Sequence, residues 1–474
     1  MAESYCTPLD LRQIEENFSE LEPPLKPAEA LHEANRCLYC YDAPCTRACP
    51  THIDVPAFIK KIASGNLRGS ARVIFEANPI GATCARVCPV EVLCEGACVE
   101  NTLLNKPIEI GRLQRYATDF VLNSQQPLFS PGDPNGLTVG IIGSGPAGLS
   151  CAMYLARLGY EVTVYDKKPL AGGLDTYGMA EYKMSQSVSQ TEVEQLARLG
   201  VKFVLNTVIT SDAASPEDIR EETQNNNQPG DHTDAIQMQA VAFSDLLEWH
   251  DSVFIAVGLG ATKMLAVPGE DLYGVIDALG FIEKIKTRDW KNVPLGRRVA
   301  VIGAGNTAID AATQAKRLGA ERVIMVYRKT EKEMPAYDYE YELARHDCIE
   351  FIWQAAPIGI ISDDTGKKVA ALRCEKTDGS LQIFEIPCDM VIKAVGQTKM
   401  LSFFESVAGV KTDENGRVIV NNMMQTSNPK IFAGGDCVNG GGEAVEAAQM
   451  GKMAAIGIHK TLTGETIKFA GADF

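Results

Sequence analysis

Positive charge is what this sequence has too little of. Its 45 Lys and Arg face 61 Asp and Glu, a formal net charge of −16 over 474 residues. Binding nucleic acid as a main partner requires a basic face that neutralises phosphates, so that class is excluded as the principal role. Long apolar runs are missing too. No stretch approaches the ~18 consecutive apolar residues that a membrane span needs, so no membrane partner is expected. The opening residues, MAESYCTPLDLRQIEENFSE, have neither a basic start nor an apolar core. No targeting segment is therefore expected, and a cytoplasmic location is the default. Finally, no C-x-x-C pair occurs after Gly143, which removes the redox dithiol that a disulfide reductase places beside its nicotinamide.

Cysteine, by contrast, is abundant and unevenly placed. Of 14 cysteines, eight lie between Cys37 and Cys98. The first group runs Cys37-x-x-Cys40-x₄-Cys45-x₃-Cys49-Pro50, and the second Cys84-x₃-Cys88-Pro89-x₄-Cys94-x₃-Cys98. A secreted disulfide scaffold is a poor match, because such chains are short. Closely spaced thiolates followed by Cys-Pro point to [4Fe–4S] ligation, with a four-thiolate zinc site as the alternative. Cys151, Cys348, Cys374 and Cys388 have no partner spacing and read as small core residues.

Residues 1–135 read as an α-helical domain, with amphipathic helices expected at Val55–Ala63, Ser70–Ala77 and Ile108–Leu122. The Pro/Gly-rich stretch Asn123–Gly136 ends it. Strands and helices then alternate. Leu137–Ile142 and Glu161–Tyr165 flank one Gly-rich turn, and Arg298–Gly303 and Arg322–Tyr327 flank another, so two Rossmann-like dinucleotide-binding domains are expected. The strands ending at Gly258 and Gly396 mark where the chain leaves one domain and re-enters it. The fold class is thus α/β behind a helical N-terminal domain, with residues 136–258 and 397–474 forming one nucleotide domain and 259–396 inserted as the second. Residues 211–240, polar and rich in Asn and Gln, read as a solvated insertion.

The first motif is Gly143-Ser144-Gly145-Pro146-Ala147-Gly148, with Asp166 at the end of the next strand. Gly143 permits the turn, Gly145 lets a pyrophosphate approach the backbone, Gly148 brings helix to strand, and Asp166 is placed for ribose hydroxyls. Gly173 and Leu174 follow in a Gly-Gly-Leu turn that either admits a flavin or is only a turn. The second motif is Gly303-Ala304-Gly305-Asn306-Thr307-Ala308. Its following strand ends in Arg328-Lys329 in place of an acid, which favours a 2′-phosphate and hence NADP(H), while Glu331 and Glu333 close by keep NAD(H) open. Near the C-terminus a strand runs into Gly434-Gly435-Asp436. The chain resembles flavoproteins with two dinucleotide-binding domains there, which implies FAD, with Asp436 on the ribityl chain and Gly435 allowing close approach.

The runs Cys37–Pro50, Gly81–Cys98 and Ile110–Asp119 (IGRLQRYATD) carry a wider resemblance over nearly the whole chain. It is to the family containing the glutamate synthase small subunit and the NAD(P)H-oxidising half of dihydropyrimidine dehydrogenase, nearest to the bacterial dihydropyrimidine dehydrogenase subunit. That resemblance implies FAD and two [4Fe–4S] clusters, one held by Cys37, Cys40, Cys45 and Cys98, the other by Cys49, Cys88, Cys94 and Gln114. Cys84 is left unassigned. It also implies an FMN/iron–sulfur partner subunit that reduces uracil or thymine, in a hetero-oligomer fed by NAD(P)H. Hydride transfer needs no side-chain acid or base, so no catalytic residue is named. The alternatives are a glutamate synthase small subunit, the large subunit of a bifurcating NADH-dependent ferredoxin:NADP oxidoreductase, and a non-enzymatic zinc-containing scaffold.

Overall fold

The computed structural model describes residues 8–124, 126–210 and 238–471. Of the expected polar insertion, residues 211–237 lie outside that range. The described chain forms two compact units.

One unit spans Glu22–Thr176, Gln186–Leu259 and Lys399 onward. Its N-terminal part is a helical layer in which Pro27–Arg36, Val55–Ala63, Leu67–Ala77, Gly81–Val87 and Ile110–Ser124 succeed one another. Local chemistry sets their starts. The carboxylate of Asp54 accepts from Ala57 N at 3.0 Å, and Asn66 Oδ1 accepts from Gly69 N at 2.9 Å. The Asn66 cap starts its helix three residues before the expected Ser70. Apolar stripes from these helices, among them Ala30, Phe58, Ile59, Ile74, Leu113 and Ala117, close into one core.

Behind this layer lies a parallel five-stranded sheet, ordered Ile431–Ala433, Ser252–Ile255, Thr138–Ile142, Glu161–Tyr165, Lys202–Val204. Its central strands are apolar on both faces, as a sheet covered on both sides requires. Helix Pro146–Arg157 packs closely on the C-terminal helix Ala444–Thr463, where Ser150 Oγ donates to Ala448 O at 2.6 Å. A Cβ on Gly451 would sit 2.1 Å from Ala147 O, so the helices approach as closely as glycine allows.

The other unit contains the described chain up to Leu21, Tyr177–Ser185 and Gly260–Thr398. A second parallel five-stranded sheet runs Glu350–Trp353, Arg322–Tyr327, Arg298–Ile302, Met390–Lys393, Val275–Asp277. An antiparallel sheet of Ala355–Ser362, Val369–Lys376 and Ile383–Pro387 accompanies it. Helix Leu11–Asn17, capped by Asp10, places Ile14, with Phe18 just past its end, in the core beside Phe281 and Val301. The segment Tyr177–Ser185 is tied in by a buried polar group. Lys183 Nζ lies 2.6 Å from Asp310 and also pairs with Glu340, while Tyr182 donates to Asp310 at 3.0 Å.

Within the first unit, Glu192 joins the helical layer to the sheet. Its carboxylate accepts from Ala82 N at 2.7 Å, Thr83 N at 3.2 Å and Thr83 Oγ1 at 2.5 Å. Burial pushes its pKa up to about 7 in spite of these donors. The folded chain therefore holds this proton more tightly than the unfolded chain. Its stabilising contribution is complete below about 4.5 and is lost as pH rises through about 7. Thermal unfolding from pH 5 to 8 should show the wild type losing about 2 to 3 kcal/mol relative to Glu192→Gln as the pH rises. Parallel curves for the two proteins would contradict this role.

Candidate functional site

The strand Thr138–Ile142 ends at Gly143, whose φ of +97° turns the chain into the loop. Gly145 is the N-cap of Pro146–Arg157, with Pro146 at its first position, where a missing N–H costs nothing. A Cβ on Gly145 would meet only Gly173 Cα, at 3.9 Å, so the space above the free N–H groups stays open for an anion. Gly148 has no such room, because a Cβ there would lie 2.0 Å from Gly143 O. Gly173 is equally constrained, its Cβ position being 2.7 Å from Gly145 Cα. The glycine pair is thus more than a turn: it lets this second loop close on the first, and Leu174 then opens the short helix Leu174–Tyr177.

Asp166 sits under this loop. One carboxylate oxygen accepts from Ser144 N at 2.8 Å and from Ser144 Oγ, and the other accepts from Lys168 N at 2.9 Å. Ser144 Oγ accepts in turn from Gly172 N at 3.1 Å. The carboxylate expected to take ribose hydroxyls therefore also braces both glycine loops, and Ser144 is a loop residue that sequence reasoning missed. At the other end of the sheet, Gly435 faces Ala147, and Asp436 begins the short helix Asp436–Asn439. Burial raises the Asp436 carboxyl above its ordinary range, against the Gly442 N–H at 3.2 Å and the Lys399 ammonium.

The second loop repeats this construction. Gly305 is the N-cap of Asn306–Arg317, and a Cβ on it would meet only Pro335 Cγ, at 3.9 Å. Gly303 closes against Ala394 O. Asn306 Oδ1 accepts from Tyr337 N at 3.1 Å and fixes the loop, while Thr307 is exposed. Arg328 and Lys329 are both exposed beyond the strand. The nearby acids are occupied: Glu333 accepts from Thr330 Oγ1 at 2.8 Å and lies 3.6 Å from Lys329 Nζ, and Glu331 accepts from Tyr341 Oη at 2.8 Å. Among the described residues no carboxylate pairs with Arg328.

The cysteines gather at two places in the helical layer. Cys37, Cys40, Cys45 and Cys98 line one open pocket, walled also by Val55, Ile59 and Ile110. Burial pushes the Cys37 thiol up and the Cys45 thiol to about 12. The second gathering contains Cys88, whose pKa is raised by a hydrogen bond with Cys84, by burial, and by the nearby Cys49 and Cys94 sulfurs. Asn78 Nδ2 donates to Cys84 Sγ at 3.1 Å. Cys94 is raised by burial, and its neighbour Glu95, which accepts from Gly111 N at 3.0 Å, is pushed up to about 7 for the same reason.

The segment Ile110–Asp119 locks this second group. Arg86 donates to both Asp119 oxygens, at 2.8 and 2.9 Å, and Arg115 reaches the same carboxylate at 3.3 Å. Gln114 is buried, and its Nε2 donates to Gly81 O at 2.7 Å on the helix that leads to Cys88. Every described cysteine is a free thiol. Among the described residues no three His, Cys, Asp or Glu side chains converge on a single metal-ion position.

Two nucleotide loops on two parallel sheets define a flavin- and NAD(P)H-dependent oxidoreductase, and comparison with known proteins agrees. Residues 137–451 match the pyridine nucleotide-disulphide oxidoreductase model, and residues 14–126 match dihydropyrimidine dehydrogenase domain II, 4Fe-4S cluster. The chain belongs to this family, in the branch that holds both glutamate synthase small chains and dihydropyrimidine dehydrogenase subunits. It is 34% identical to the glutamate synthase [NADPH] small chain of Escherichia coli, covering 95% of each chain. It is 33% identical to the NAD-dependent dihydropyrimidine dehydrogenase subunit PreT of Salmonella typhimurium, covering 94% of this chain and 97% of the relative. Among solved structures, the Lactococcus lactis thioredoxin reductase matches with a TM-score of 0.52 at 24% identity, over 69% of this chain and all of that one, a likeness of fold.

The glycine geometry makes a direct prediction. In Gly148→Ala the new methyl meets a backbone oxygen, and an overpacking cost of about 1 to 3 kcal/mol should lower the flavin-to-protein ratio of the purified chain roughly tenfold. Ala308→Gly, in the other loop, should leave flavin content unchanged. Full flavin occupancy in Gly148→Ala, read from absorbance, would contradict the assignment of this loop.

Proposed function

We propose that this chain is the electron-input subunit of a dihydropyrimidine dehydrogenase. In this reading it oxidises NAD(P)H and delivers the electrons to an FMN/iron–sulfur partner subunit that reduces uracil or thymine. In this reading the FAD domain comprises residues 136–258 and 397–474, the NAD(P)H domain residues 259–396, and the cluster domain residues 1–135, except that the helix Leu11–Asn17 packs in the core of the NAD(P)H sheet. Flavin, when bound, accepts a hydride and releases electrons singly, and two [4Fe–4S] clusters provide the path out.

The observation that carries the reading is the shared pocket of Cys37, Cys40 and Cys45 with Cys98, which comes from the other cysteine group. A four-iron cube needs thiols on the walls of a cavity, whereas one zinc ion needs them converging at about 2.3 Å. Cys49, Cys88, Cys94 and Gln114 serve the second cluster, with the amide of Gln114 oriented by Gly81 O. The chain's own work is positional. Gly145 and Gly305 leave room for pyrophosphate, Asp166 holds the first loop in shape, Asp436 would meet the ribityl chain, and Val55, Ile59 and Ile110 form an apolar wall of the first cluster's pocket.

The identity to a glutamate synthase small chain supports a second reading, in which the same electrons serve an amidotransferase partner. Purification of the tagged chain from its native cell separates the two. The first reading requires a companion that confers uracil-dependent NAD(P)H oxidation. A companion that confers glutamine-dependent oxidation would overturn it.

NADPH is the favoured donor, because Arg328 is an exposed guanidinium whose neighbouring acids are already engaged. A charge-assisted hydrogen bond to a 2′-phosphate is worth about 1.5 to 3 kcal/mol. In Arg328→Ala, kcat/KM for NADPH should therefore fall about tenfold or more, with NADH little changed. Equal losses for both nucleotides would show that Arg328 does not read the 2′-position.

A further inference from the structure

Lys452 is fully buried in the helix Ala444–Thr463. Its Nζ donates to two carbonyls, Thr51 O at 3.0 Å and Ala470 O at 2.9 Å, and lies 5.9 Å from the centre of the Tyr154 ring. Among the described residues no carboxylate pairs with it. Burial alone pushes its pKa down to about 7, and the one charged group that works against this is the Cys49 sulfur. The same loop links the two groups: Thr51 gives its carbonyl to Lys452, and its hydroxyl lies 3.4 Å from Cys49 Sγ.

A buried ammonium supported only by dipoles is expensive, and an anion in the same dry interior removes most of that cost. Elsewhere this fold provides its buried lysines with carboxylates. Lys183 has Asp310 and Glu340, and Lys286 has Glu181 at 2.9 Å. Beside Lys452 the one group that favours its charged form is the sulfur of Cys49, which the reading above assigns to the second cluster.

We infer that Lys452 is the counter-ion of the cluster held by Cys49, Cys88, Cys94 and Gln114, and that its charge raises the potential of that cluster. The inference rests on the cluster assignment made above. Reduction adds one electron to an already anionic centre, so a fixed neighbouring cation stabilises the reduced form more than the oxidised form. Lys452 is a positioning residue: it touches neither substrate nor flavin, and it acts through the loop Cys49–Thr51. The helix that carries it, capped by Glu443, follows Gly442, whose N–H donates to Asp436.

The test is an EPR-monitored redox titration of the intact, anaerobically purified chain, as wild type, Lys452→Met, Lys452→Gln and Lys452→Arg. Iron content of the wild type checks the cluster reading by itself, and the potential checks the role of Lys452. In the two neutral variants the reduction equilibrium of the second cluster should move at least tenfold toward the oxidised form, about 59 mV for one electron. The first cluster should stay in place, and Lys452→Arg should recover most of the shift. Selective loss of the second cluster in the neutral variants, restored by Lys452→Arg, supports the same role. Unchanged potentials in iron-replete neutral variants would overturn the inference. So would loss of flavin and both clusters together in every variant, which would make Lys452 a residue of the fold alone.

Discussion

Thiols taken partly out of water resist ionisation, and the helical layer of this protein gathers eight cysteines under that constraint. Burial raises Cys37, Cys45 and Cys94, and Cys88 is raised by its hydrogen bond with Cys84 as well as by burial. Cys37, Cys45 and Cys94 pack against the core of Phe58, Ile59 and Leu113 and Cys88 against the core of the sheet layer, each partly buried. In the proposed reading, iron would take the place of the proton on these sulfurs and let them be anionic in a partly buried setting. The caps at Asp54 and Asn66 and the Arg86–Asp119 pair hold short helices in register, and those helices place the sulfurs at two sites.

The remainder of that unit follows from coupling this layer to the first parallel sheet. Glu192 reaches from Gln186–Ala197 to the helix before Cys88, Arg157 Nη2 meets Glu76 at 2.5 Å, and Lys452 reaches Thr51. Glu192 and Lys452 are buried there, and the Arg157–Glu76 pair is part-buried. The interior between sheet and cysteines is thus electrostatically structured, which is where an electron path benefits most from fixed charges.

Much of this was legible in the sequence because it depends on local chemistry. The strands Glu161–Tyr165 and Arg322–Tyr327 and the helix Val55–Ala63 have the expected bounds, since period and capping residues fix them. The two glycine loops were legible because only glycine allows those turns and approaches. The sheet Ala355–Ser362, Val369–Lys376 and Ile383–Pro387 was not anticipated, because its half-exposed strands lack a clean alternation. Ser144, Glu192 and Lys452 were missed for a different reason. Their partners lie 22, 110 and 401 residues away, and nothing local marks a polar residue that the fold will bury. Arg115 and Asp119 did stand inside a quoted motif, and their charges were the available clue to the clamp on Arg86.

The central claim is that electrons leave a bound flavin through iron held by the N-terminal thiolates. The most direct measurement is metal and flavin analysis of the anaerobically purified chain, followed by stepwise addition of NAD(P)H under visible spectroscopy. The account predicts one flavin and about eight irons per chain, from two four-iron clusters, with the broad iron–sulfur absorbance bleaching together with the flavin bands. Stoichiometric zinc, or iron that NAD(P)H leaves oxidised while the flavin is reduced, would contradict it.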